Sequence, residues 1–127
     1  MCIRDSSYFK SGDSLGVASA ETGQLLWLDM PEGYAVRAVA AIPATDDCLV
    51  LLESATGKAS RQQHFENLWR YSHERGVIWR AELPQSGADY YVAFELKADG
   101  LWANSWSCFR VAIDPETGTI RSKTFTK

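Results

Sequence analysis

Val17-Ala18-Ser19-Ala20-Glu21-Thr22-Gly23-Gln24-Leu25-Leu26-Trp27 and Ala112-Ile113-Asp114-Pro115-Glu116-Thr117-Gly118-Thr119-Ile120-Arg121-Ser122 are two renderings of one pattern. In each, an apolar stretch enters a polar corner closed by Glu-Thr-Gly, and a second strand-like stretch leaves it. Leu68-Trp69-Arg70-Tyr71-Ser72-His73-Glu74-Arg75-Gly76-Val77-Ile78-Trp79 is a third copy, one residue shorter after its glycine. Glycine suits the end of such a corner because it adopts positive φ without steric cost. The three corner glycines lie 53 and then 42 residues apart. The longer interval contains the polar stretch Ser54–Glu66, which reads as a loop inserted into one repeat. Without most of it the period is about 40–45 residues.

No segment sustains helical spacing over ten residues. Short runs rich in Val, Ile, Leu, Trp, Tyr and Phe alternate with Gly, Asp, Asn and Pro, the signal of strands and turns. Strands are predicted near 15–19, 24–29, 35–42, 47–53, 67–72, 77–81, 90–97, 100–104, 108–113 and 119–125. Lys97-Ala98-Asp99-Gly100 reads as a hairpin whose Asp-Gly supplies the positive φ of a primed turn, and Ala44–Asp47 as a looser turn. The expected fold is all-β, built of antiparallel four-stranded propeller-like blades, about two and a half in this chain. Residues 15–29 form a blade remnant, 34–81 a blade carrying the insertion 54–66, and 90–126 a second blade, all within one domain over 7–127. A propeller closes with four to eight blades, so the count predicts an N-terminally truncated chain or assembly with another chain.

The 127 residues suit a single domain. Thirteen basic against sixteen acidic residues, with a net charge of −3 and no basic run, give no footprint for nucleic acid. No apolar stretch approaches the ~18–20 residues of a membrane span, so no membrane partner is expected. Met1-Cys2-Ile3-Arg4-Asp5-Ser6 can be encoded by a string resembling the end of a transposon-type sequencing adapter. Residues 1–6 are therefore read as a translated artefact, with the native chain beginning upstream of Ser7. Cys48 and Cys108 lack CxxC or His companions at metal-ligand spacing. They read as a reduced pair, with a mutual disulfide as the alternative. This cysteine usage points towards the cytoplasm.

The Ala112–Gly118 segment resembles the Ala-x-Asp-x-x-Thr-Gly core of quinoprotein-type β-propeller repeats. Val17–Trp27 is similar, with Ser19 at the Asp position and Trp27 at the recurrent tryptophan; Trp79 matches that tryptophan in the middle copy and Ser122 replaces it in the last. The resemblance implies a Trp packed between neighbouring blades and an Asp holding the turn. The C-terminal half, with Asn67-Leu68-Trp69-Arg70, Val77–Pro84, Ser105–Val111 and Phe125-Thr126-Lys127, resembles a group of small uncharacterised bacterial proteins ending in the same Phe-Thr-Lys. That resemblance implies a natural terminus at Lys127 and no particular activity.

No residue set is assigned to catalysis, a cofactor or a metal. The adjacent cysteine pair and the calcium ligands of quinone-dependent dehydrogenases have no counterpart at Cys48 and Cys108. His64 falls in the inserted loop and His73 at a polar turn, where neither is set up for catalysis. Ser105, Ser107 and Cys108 flank Trp106, expected to be a buried ring in a tight turn. Asp114 is expected to cap its corner through backbone N–H groups. The surplus is aromatic, and alternation along a strand places Tyr90 and Tyr91 on opposite faces and turns Arg70 outward if Trp69 points in. Arg70, Arg80, Tyr90, Tyr91, Trp102 and Arg110 form a candidate partner surface, since Trp, Tyr and Arg dominate binding hot spots. The leading expectation is a non-enzymatic binding or scaffold module whose partner is another protein or missing N-terminal blades. The alternatives are a fragment of a quinone-dependent periplasmic dehydrogenase and a small regulatory or inhibitory β protein that binds another protein.

Overall fold

The structure, a computed structural model, describes residues 6–19, 21–53 and 64–126. Eleven strands follow in chain order: β1 (Ser6–Ser11), β2 (Ser14–Ser19), β3 (Leu25–Asp29), β4 (Ala35–Ala41), β5 (Cys48–Glu53), β6 (Leu68–Ser72), β7 (Gly76–Arg80), β8 (Tyr91–Lys97), β9 (Gly100–Ser105), β10 (Phe109–Ile113) and β11 (Ile120–Phe125). They form three antiparallel sheets, β1-β2-β3, β4-β5-β6-β7 and β8-β9-β10-β11, each strand beside its sequence neighbour. The protein is all-β, and every strand expected from the sequence is present. The first sheet has three strands where two were expected, because Ser6–Ser11 pairs with Ser14–Ser19 from Ser6↔Ser19 to Ser11↔Ser14. Its short, mostly polar sequence hides it. Of residues 1–6 only Ser6 is described, and of the insertion 54–66 only His64–Glu66.

The corner glycines occupy equivalent places. Gly23, Gly76 and Gly118 have φ of +74°, +81° and +77°; Gly23 lies between β2 and β3, Gly76 opens β7 after β6, and Gly118 lies between β10 and β11. The last residue of the preceding strand, or in the last sheet the residue just after it, holds each corner. Ser19 Oγ accepts the N–H groups of Glu21 and Thr22, Ser72 Oγ those of Glu74 and Arg75, and Asp114 Oδ1 that of Glu116 at 2.9 Å. A bulge interrupts each pair at the same register, opposing Val17 to Trp27, Arg70 to Trp79 and Ala112 to Ser122. The Lys97–Gly100 hairpin forms differently from expectation. Its closing pair is Lys97↔Gly100, so Ala98 and Asp99 are its central residues, neither has positive φ, and Gly100 follows them at +148°.

Consecutive sheets meet face to face, as half-apolar sheets must to remove their inner faces from water. One core joins the first and middle sheets: Leu15, Val36, Cys48, Val50, Leu52 and Trp69, with Tyr8, Trp27 and Tyr71 packed against it. The other joins the middle and last sheets, setting Leu49, Leu51, Leu68 and Trp79 against Leu101, Ala103, Val111 and Ile113. The tryptophan at the repeated position crosses to the next sheet in both cases. Trp27 meets Tyr71 with ring centroids 6.2 Å apart. Trp79 donates Nε1–H to the Pro115 carbonyl at 2.9 Å, and its ring lies so close to Gly118 that an added Cβ would sit 2.7 Å from it. Asn67, fully enclosed, donates from Nδ2 to the carbonyls of Leu52 and Tyr91 and accepts the Tyr91 N–H.

Cys48 and Cys108 are both free thiols, Cys48 buried and Cys108 half-buried in the β9–β10 turn. Burial pushes the Cys48 thiol and the Tyr8 and Tyr91 hydroxyls above their ordinary values. These acids stay protonated in the fold but ionise in the unfolded chain near ~8.5 for the thiol and ~10 for the phenols. The contribution of these three groups to stability is therefore complete below about pH 8.5 and falls as pH rises, because the unfolded state then binds fewer protons. Urea midpoints measured between pH 7 and 10.5 should decline in this alkaline window. The part of the decline beginning nearest pH 8.5 should be absent in Cys48→Ala.

Candidate functional site

Strand alternation divides the last sheet into two faces. Leu101, Ala103, Val111 and Ile113 point into the core, while Glu95, Trp102, Asn104 and Arg110 share the opposite face. Arg110 organises that face. Its guanidinium donates to Glu95 Oε1 at 2.8 Å and Asn104 Oδ1 at 3.2 Å, and it stands 5.3 Å from the Trp102 ring centroid. The hydrogen bond from Arg110, reinforced by the Lys97 charge, holds the Glu95 carboxyl below the usual carboxylate range. The ion pair therefore persists through mildly acidic solution and fixes the Arg110 guanidinium.

The β9–β10 turn, which follows Asn104 on β9, carries an aromatic pair. Asp89, fully buried, accepts the N–H groups of Tyr90 and Ser107 through Oδ1 and the Ser107 hydroxyl through Oδ2 at 2.7 Å. Ser105 and Ser107 share a hydrogen bond of 2.8 Å, and the Trp106 N–H reaches the Tyr90 carbonyl. So anchored, Tyr90 and Trp106 stack with centroids 6.0 Å apart and planes 14° from parallel. Trp106 is 49% exposed, which corrects the expectation of a buried ring. Ser105 and Ser107 on either side of it turn towards the buried Asp89 network, which leaves the Trp106 ring outside. Trp106→Ala should accordingly change stability by less than about 1 kcal/mol in urea denaturation, not the ~3–5 kcal/mol of a buried ring.

The structure divides the six residues of the sequence-derived partner surface. Trp102 and Arg110 lie together on the last sheet, and Tyr90, just before β8, stacks on Trp106 instead. Tyr91 is completely buried, bonded through its hydroxyl to the Glu82 carbonyl. Arg70 does leave strand β6 on the face opposite Trp69, but that face is covered by the last sheet. Its side chain is 14% exposed, bonded to Asp47 and to the Pro115 carbonyl at 2.9 Å. Outward from one core is inward to the other, because the middle sheet is sandwiched. Arg80 lies over the Trp69 ring at 4.7 Å and pairs with both Glu32 carboxylate oxygens, away from the last sheet. His64 is exposed with Nδ1 3.0 Å from the Gly87 carbonyl, and His73 faces Tyr8. Asp114 holds its corner as expected.

Asp47, Asp89, Glu95, Asn67 and Asn104 carry no distinguishing mark in the sequence. Polar residues beside turns are common, and only their burial or pairing marks these five. Among the described residues no three His, Cys, Asp or Glu side chains gather where a metal could be held. An open groove of about 450 Å³ lies between β4 and β8, lined by the bulged residues Arg37 and Val92 with Ala38, Ala40 and Phe94.

The repeat register makes the last sheet's outer face informative. The bulge and pairing positions that carry Ala40, Leu49, Leu51, Leu68 and Trp79 in the middle sheet carry Glu95, Trp102, Asn104, Arg110 and Ser122 in the last. An apolar packing face has become a polar, aromatic one.

These features define an all-β protein of successive antiparallel meander sheets, with an aromatic and arginine face on the last. Residues 34–125 match the model of the family described as Domain of unknown function (DUF7957), and the chain belongs to that family. The match runs from the residue before β4 to the end of β11, so it spans both four-stranded sheets. No curated protein matches the chain.

Proposed function

We propose that this protein is a non-enzymatic binding module that recognises another protein through the Trp102–Arg110 face and the Tyr90–Trp106 pair. The observation that carries this reading is the exchange of Leu49, Leu51, Leu68 and Trp79 for Trp102, Asn104, Arg110 and Ser122 at repeat-equivalent positions. An apolar sheet laid on the last sheet would desolvate Glu95, Asn104 and Arg110 without replacing their water, at a cost of several kcal/mol. A polar outer face is what a terminal unit of a repeat stack needs. The reading is thus of an open stack that ends at β8–β11, not a ring continuing through this face. The likeness of the glycine corners to quinoprotein-type blades is supported by the shared bulge and corner geometry, and it concerns architecture.

The face has the composition of a hot spot, with large rings and a guanidinium fixed in advance so that little side-chain entropy is lost on binding. A fitting partner offers a carboxylate for the free side of Arg110 and an apolar side chain for Trp102 or Trp106. A regulatory or inhibitory β protein would use the same surface. Affinity capture from the native host with the intact chain, compared with Trp102→Ala/Arg110→Ala and with Trp106→Ala, tests the proposal. A protein held by the wild type and released by both variants is expected. Retention unchanged by either variant, or no protein retained by the wild type, overturns it.

A further inference from the structure

The groove between β4 and β8 has two apolar walls and a single charge. Ala38, Ala40 and Leu51 belong to the wall given by the middle sheet, and Val92 and Phe94 to the wall given by the last. Among the described residues that line it, Arg37 alone is charged. Its volume of about 450 Å³ lies within the roughly 300–1,000 Å³ of small-molecule sites. The space exists because β4 presents Ala38 and Ala40 on the face where their β5 partners present Leu51 and Leu49. Both walls lie within residues 34–125, the segment shared with the family.

Two bulges at one register shape the groove. Arg37 is the extra residue between Val36↔Leu52 and Ala38↔Leu51, and Val92 is the extra residue between Tyr91↔Ser105 and Ala93↔Asn104. A bulge breaks the alternation of a strand and re-aims the side chain it carries. The Arg37 side chain is 55% exposed and Val92 40%, so a guanidinium and an apolar side chain stand at matching positions of the two walls. Arg37 donates one N–H to Glu53 Oε2 at 3.0 Å. A guanidinium carries five donors, and an exposed pair of this kind is worth little. Glu53 therefore leaves Arg37 able to hold a second carboxylate.

We propose that this groove binds a small apolar monocarboxylate, with its chain along Ala38, Ala40, Val92 and Phe94 and its carboxylate on Arg37. Charge selects the acid. A neutral chain would leave Arg37 unused, and an ammonium would be repelled by it. An added peptide strand fits less well, because it needs the regular row of backbone N–H and C=O groups along a sheet edge. A bulge interrupts that row in β4 and again in β8.

Titration of the isotope-labelled intact chain with octanoate, octanol and octylammonium, followed by amide chemical shifts, tests this. Octanoate should shift the amides of Arg37, Ala38, Ala40, Val92 and Phe94 saturably, with a dissociation constant of about 1 mM or lower. Octanol and octylammonium should bind about tenfold more weakly or worse. Arg37→Gln should reduce octanoate to the affinity of octanol, and Ala40→Phe should block both. Each variant should keep the near-ultraviolet circular dichroism and thermal transition of the wild type. Trp102→Ala/Arg110→Ala should leave octanoate binding unchanged, which separates a failure here from a failure of partner capture by the last sheet. The proposal is overturned by the absence of saturable shifts at the groove, by shifts confined to the exposed Leu25, Leu26 and Leu28, or by equal affinities for octanoate and octanol. Octanoate binding indifferent to Arg37→Gln, or a preference for a capped, uncharged threonine–valine hexapeptide, would overturn it as well.

Discussion

Trp69→Ala is expected to lower the unfolding free energy by about 3–5 kcal/mol, with a fall in Tm of roughly 10–20 °C. The ring is 1% exposed and sits in the core joining the first and middle sheets. Tyr34 meets it edge-on at 5.9 Å and the Arg80 guanidinium covers it at 4.7 Å. Its Nε1–H also satisfies the Glu66 carbonyl at 2.6 Å. Alanine would remove the largest side chain of that core and leave Glu66 without its donor, and β-strand backbones on both sides cannot collapse into the space. Trp69→Phe retains the ring contact and loses only the N–H and part of the volume, so about half the loss is expected. Urea denaturation of both variants checks the order. Equal stability of Trp69→Ala and wild type would mean that the first sheet does not pack where it is described.

Asp47→Ala comes next in size, at about 3 kcal/mol. The carboxylate is 2% exposed and receives Arg70 on Oδ2 at 2.8 Å and Arg75 on Oδ1 at 2.8 Å. Without it, the Arg70 guanidinium is left between two sheets with the Pro115 carbonyl and little water. Arg75, mostly exposed, regains solvent and contributes little to the loss. The sign of the second substitution separates this mechanism from simple loss of packing. Asp47→Ala/Arg70→Met removes the stranded charge as well and should be more stable than Asp47→Ala alone. A double variant that is the sum of its parts would show that the pair is not coupled.

These two residues illustrate what could be read in advance. Trp69 is recognisable as a core ring from its place in a strand of apolar alternation. Asp47 is not, because an acidic residue at a turn looks the same whether solvated or enclosed. The partner surface shows the same division. Alternation correctly sends Arg70 and Trp69 to opposite faces and separates Tyr90 from Tyr91. It carries no information about whether a second sheet lies over the other face, which is why the structure parts Arg70 and Tyr91 from Trp102 and Arg110. The exposure of Trp106 is illegible for a related reason, since it depends on Asp89, seventeen positions earlier in the chain.

By itself the amino-acid order determines every strand from β2 onward, their antiparallel succession and the repeated glycine corners, because these depend on φ preferences and two-residue alternation within a few positions of each residue. Even the contrast between Leu49, Leu51 and Leu68 and their counterparts Trp102, Asn104 and Arg110 is written in it once the repeat is aligned. Only the tertiary structure decided which faces are covered, which carboxylates are buried and which aromatic residues gather. Those outcomes depend on solvent exclusion between sheets distant in sequence, and burial is a property of what lies opposite a side chain, not of the side chain.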